Sequence, residues 1–185
     1  MWLQMTAMWA AMMVPMMLPS LVPRLREFRP RRLALIVACG YFVVWTVCGA
    51  VLYPPTMQWP IAPYAGMVLV GAGFIQLSPW KARQLDRCRA SAPADDARSA
   101  WRQGLRMGID CILCCAGYTM ILLATDIMNL AVMIVMTAAI TIERLAPWPA
   151  RVARTFGVIL IAAGIFMLYR LAGGTIPFMR RYPTS

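Results

Sequence analysis

The sequence of 185 residues has no histidine, a single lysine and only seven acidic residues. Without histidine, the commonest zinc ligand and the commonest general base are both missing. Any chemistry must then come from Cys, Met, Asp, Glu, Tyr or backbone groups. Polar stretches are scarce too. Charged residues make up 14% of the chain and hydrophobic ones 61%, with a mean hydropathy of +0.65. A soluble domain carries roughly 25% charged residues, so the composition predicts an all-α, polytopic transmembrane bundle. Eighteen basic residues against seven acidic ones give a net charge of +11, and every basic residue except Lys81 is Arg. In such a chain an arginine excess is read through loop placement before nucleic acid is considered. The six cysteines fall mostly within apolar runs, which excludes a secreted disulfide framework.

Apolar stretches run over roughly 1–19, 34–53, 64–80, 106–125, 127–143 and 155–173. Most approach the ~17–25 residues that cross a hydrocarbon core, which predicts about six helices in one integral membrane domain. The first begins at residue 1 with no basic leader or cleavage pattern and reads as a retained helix. Segments 20–33, 81–105 and 144–154 hold most of the arginines, whereas "YPPTMQWPIAPY" (53–64) has no charge. The positive-inside rule makes those three basic segments cytoplasmic loops and places both termini outside, with Arg180 and Arg181 mildly against it. The expected setting is a membrane with these loops on its cytoplasmic face. The lipid bilayer is the main partner, a membrane or soluble protein a further one, and nucleic acid is not expected. The most polar stretch, "RASAPADDARSAWRQG" (89–104), reads as a flexible loop. Asp126 is expected to cap the fifth helix and Asn129 to be available for an interhelical hydrogen bond.

Two groups of soft side chains stand out. Met1, Met5, Met8, Met12 and Met16 recur at helical spacing, and Met13 and Met17 widen the stripe. Thioethers at this spacing suit Cu(I), and they also fill gaps between helices. In "GIDCILCC" (108–115), Cys111 and Cys115 are four residues apart on one helical face, with Cys114 between them and Met107 and Tyr118 extending the face. Such a face can hold Cu(I) or Zn(II), each thiol giving up its proton on binding. The alternatives are close packing by small cysteines and thiol redox chemistry. Redox ranks last, because the topology places these thiols toward the reducing cytoplasm. Met12, Met13, Met16 and Met17 should sit at a similar depth to the cysteines, and Cys39 enters the second helix nearby. A shared site requires thiol and partner sulfurs on different helices within ~8 Å, allowing for metal–sulfur bonds of ~2.3 Å and rearrangement. Asp110 and Glu143 are ionisable groups in or near apolar helices and hence functional candidates. The blander expectation pairs them with their neighbours Arg106 and Arg144.

Several blocks together resemble the bacterial domain-of-unknown-function 2182 family of suspected metal-binding membrane proteins. They are "MWAAMMVPMMLPS" (8–20), "GYFVVW" (40–45), "QLSPWKARQLDRCR" (76–89), "GIDCILCC" (108–115), and "IMNLAVM" (127–133) followed by "ER" (143–144). Gln84 stands where the family pattern has a first loop cysteine, whereas Cys88 keeps the second; Leu113 replaces a Gly and Pro15 an Ala. Members tend to carry a further N-terminal segment. The resemblance implies an integral membrane protein with a metal site.

The leading expectation is therefore a non-enzymatic membrane protein that binds, and translocates or delivers, a soft ion such as Cu(I). The expected ligands are Cys111, Cys114 and Cys115 with Met12, Met13, Met16 and Met17, and Cys88 passes metal from the loop. A membrane scaffold or accessory subunit is the alternative, and a thiol-redox protein a weaker one.

Overall fold

The structure, a computed structural model, describes residues 2–58, 62–89, 94–125 and 130–172. Among them the chain is all-helical: α1 (Trp2–Leu25), α2 (Arg31–Gln58), a 3-10 turn (Ala62–Tyr64), α3 (Ala65–Leu77), α4 (Pro79–Arg89), α5 (Ala97–Thr125), α6 (Leu130–Leu145) and α7 (Pro149–Ala172). The helical bundle is as expected, but the described residues hold seven α-helices rather than about six. Four are long and apolar enough to cross a membrane: Thr6–Leu25, Arg31–Leu52, Ala97–Thr125 and Pro149–Leu171. At 1.5 Å per residue, α3 reaches only about 20 Å. Asp126 and Asn129 lie outside the described residues, as do Arg180 and Arg181.

The seventh helix comes from a segment that hydropathy assigns to a loop. In "SPWKARQLDRCR", Ser78 Oγ accepts a hydrogen bond from the Trp80 amide at 3.1 Å. Pro79 follows in the first helical position, where its missing N–H costs nothing. These two residues start α4, which buries Lys81, Gln84 and Leu85 and leaves Arg83 and Arg87 exposed. Helix α5 also begins earlier than the apolar pattern suggests. Asp96 Oδ1 accepts from the Ser99 amide and Ser99 Oγ from the Asp96 amide, each at 3.2 Å. This reciprocal cap satisfies two end groups and extends the helix upstream of its apolar run. The Ser99 hydrogen bond also holds the exposed Asp96 carboxyl below its usual range.

Glycines set how closely the helices approach. A Cβ on Gly108 would lie 2.8 Å from Val44 Cβ and 3.1 Å from the Tyr41 carbonyl oxygen. Helix α2 therefore runs close against α5 there, which brings Tyr41 level with Cys111. A similar contact joins α3 and α7, where a Cβ on Gly73 would lie 2.7 Å from the Gly157 carbonyl oxygen. Small residues permit this backbone approach where burial from water is not the driving force. Helix α1 is fixed by aromatic groups: Trp9 is buried over Gly49, and its Nε1 donates to the Trp45 carbonyl at 3.2 Å. Apolar side chains on the outer faces, such as Leu35, Val47 and Val51 on α2, are exposed.

Candidate metal centre

The helical spacing of the methionines aims Met12, Met13, Met16 and Met17 inward from α1, all of them buried. Met8 is exposed, so the inward stripe does not include every methionine of α1. Opposite, α5 presents Cys111 and Cys115 to the same core, joined by Tyr41, Trp45, Tyr118 and Leu122. Met107, Met133 and Met136 pack around it. The contact across the helices is direct: the Cys111 thiol points at Met17 Sδ at 3.8 Å. That distance lies well inside the limit for a shared sulfur site. Tyr41 Oη and Cys111 Sγ are 2.8 Å apart and share a hydrogen bond.

Cys114 faces a neighbouring cluster with Leu85 of α4 and Ala153 of α7, against which Cys88 packs. The thiols nevertheless form a series. Cys88 neighbours Cys114, Cys114 neighbours Cys115, and Cys115 neighbours Cys111. Hydrogen bonding with Cys114, then burial, pushes the Cys88 thiol well above its usual range. The half-buried guanidinium of Arg144 bridges Cys88 and Cys115, with Nη2 3.7 Å from Cys88 Sγ and 3.7 Å from Cys115 Sγ. Cys39 is exposed on α2 and takes no part. All six cysteines are free thiols.

Among the described residues, no three His, Cys, Asp or Glu side chains gather at metal-ligand spacing. A bound ion would therefore draw on methionine as well as cysteine, which suits a soft, low-coordinate ion.

Beside the sulfurs lies a polar cluster that hydropathy does not announce. Glu143 is 1% exposed, and its Oε1 lies 2.6 Å from Lys81 Nζ. This corrects the expected pairing of Glu143 with Arg144: the partner is the lysine of α4. Glu143 Oε2 accepts from Gln76 Nε2 at 2.8 Å and from Tyr118 Oη at 2.7 Å. Lys81 also donates to the Cys114 carbonyl and stands 5.3 Å from the Tyr118 ring centroid. Burial opposes the lysine's charge, but the sulfur of Cys114 and the Glu143 carboxylate hold its ammonium above its usual range. Hydropathy puts Lys81 in a basic loop, because charged side chains are normally solvated. Its standing as the sole lysine among arginines, and Gln76 inside an apolar run, were the available signals. Gln84, at the expected first loop-cysteine position, is buried, and its Oε1 has no hydrogen-bond partner among the described residues. It supplies no thiol.

The described residues thus form a helical bundle with four helices long and apolar enough to cross a membrane, around a buried core that contains cysteine and methionine sulfurs. The chain belongs to the copper chaperone family PpoB2, whose model matches residues 6–167. A copper-related family is the part of the resemblance to the 2182 family that this match supports. No curated protein and no solved structure matches the chain.

Proposed function

We propose that the protein is a multi-pass membrane carrier that binds Cu(I) between α1 and α5 and hands it on, without catalysing a reaction. The observation that carries this reading is the 3.8 Å contact between Cys111 Sγ and Met17 Sδ, made across two helices inside the core. Cys111, Cys115 and Met17 are assigned as the binding set, with Met12, Met13 and Met16 as further thioethers along α1. Cys114 and Cys88 continue the sulfur series toward α4. The copper family membership and the soft character of every candidate ligand support the choice of ion.

The four apolar helices support insertion in a bilayer, and the arginine-rich segments favour a cytoplasmic side for the Cys88 end. A bacterial inner membrane is the setting we assign. A chaperone must give its metal up, so a membrane or soluble acceptor protein is the expected partner. Nucleic acid plays no part in this reading.

The test is anaerobic titration of purified protein with Cu(I) in competition with bathocuproine. The protein should withdraw copper from the chelator. Failure to withdraw any would leave packing as the role of these sulfurs and favour a membrane scaffold.

A further inference from the structure

The sulfur series opens onto a small cavity at the basic end of the bundle. Its volume is about 50 Å³, and its wall includes Cys88, Tyr41, Arg24, Arg87, Arg144 and Asp110. Arg87 is exposed, so this wall reaches the surface, whereas Arg144 reaches inward to Cys115. Three guanidinium groups thus face one carboxylate around the thiol at the outer end of the series. A bare Cu(I) cation approaching this mouth is repelled. An anionic complex that carries the same ion is drawn in, and focusing in a cleft raises its local concentration.

We propose that the cavity is a loading port at which Cys88 takes Cu(I) from an anionic low-molecular-weight thiolate complex. The inference rests on the copper reading and names the chemical form in which copper arrives. A void of this size exceeds the roughly 10–15 Å³ that one water needs on the same measure, so it accommodates the end of a small ligand.

The exchange balances without any redox change. The Cys88 thiol attacks copper in [Cu(SR)2]−, a Cys88 S–Cu bond forms and one Cu–SR bond breaks. The departing thiolate takes the Cys88 proton and leaves as RSH. The product, Cys88–S–Cu–SR, keeps the single negative charge beside Arg144. Repeating the exchange with Cys114, the next thiol of the series, releases the second small thiol and moves copper inward.

The experiment uses full-length protein in uncharged detergent and measures Cu(I) uptake rates from three carriers. These are Cu(I) complexes of mercaptoacetate, mercaptoethanol and cysteamine, which are negative, less negative and positive overall. At low ionic strength, loading from mercaptoacetate should exceed loading from cysteamine by at least about tenfold, and salt should shrink the gap. Intrinsic differences between carriers cancel when this ratio is compared among variants. Arg24→Gln/Arg87→Gln should lower the ratio, and Asp110→Asn should raise it. Those opposite signs are not produced by a structural defect. Uptake from all three carriers at ratios that neither substitution moves would overturn the port while leaving copper binding intact. Loading only from an acidic copper protein would also overturn it. No uptake from any carrier, even at equilibrium, would overturn the copper reading and the port together.

Discussion

Replacing Cys111 by Ser is expected to weaken Cu(I) binding at least about a hundredfold, close to 3 kcal/mol at 1.4 kcal/mol per decade. Cys111 stands where three contributions meet. Its thiol points at Met17 Sδ, it shares a hydrogen bond with Tyr41, and it neighbours Cys115. Serine keeps the size and can keep the Tyr41 hydrogen bond, so the fold should survive. It replaces a soft thiolate by a hard, poorly ionised hydroxyl, which binds Cu(I) far less well. Cys115→Ser should have a comparable effect, because it removes the sulfur four residues along the same face. Cys39→Ser should have none, since that thiol is exposed. Chelator competition measures all three. Cys111→Ser protein that holds copper as tightly as wild type would remove Cys111 from the ligand set.

The second large effect falls on stability. Glu143→Ala is expected to destabilise the protein by about 3–5 kcal/mol, the usual result of breaking a buried ion pair from one side. The carboxylate holds three partners from three other helices: Lys81 of α4, Gln76 of α3 and Tyr118 of α5. Its removal leaves the Lys81 ammonium, 1% exposed, without its counter-charge. The paired change Lys81→Met/Glu143→Leu should cost much less than Glu143→Ala, because it removes both charges and fills their space. Chemical unfolding in detergent, followed by helical circular dichroism, makes the comparison. A Glu143→Ala protein as stable as wild type would mean that the pair does not hold α4 against the bundle.

The sulfur core is partly legible in the sequence because helical period groups its residues. Met12, Met13, Met16 and Met17 repeat at spacings that share a face, as do Cys111 and Cys115. The period groups these sulfurs on shared faces, whereas their inward direction is set by the tertiary packing, since Met8 on the same stripe is exposed. The polar cluster is not legible in the same way. Hydropathy treats Lys81 as loop and Glu143 as helix end, and nothing local shows that residues separated by 62 positions neutralise each other. Helix α4 escapes for a related reason: its polar composition outweighs the Ser78–Pro79 start signal when segments are ranked by apolarity. The packing of α2 on α5 was within reach, since Gly104 and Gly108 lie four apart on one face. Which helix they admit depends on the tertiary fold, and so does the meeting of Tyr41 with Cys111.

The central claim is that copper sits between sulfurs of α1 and α5. Copper K-edge X-ray absorption of Cu(I)-loaded protein tests it most directly. The account predicts a low-coordinate first shell made of sulfur at roughly 2.3 Å, near the metal–sulfur length of zinc thiolates, with one scatterer lost in Met17→Leu. A first shell of oxygen or nitrogen, or a spectrum that Met17→Leu leaves unchanged, would contradict it.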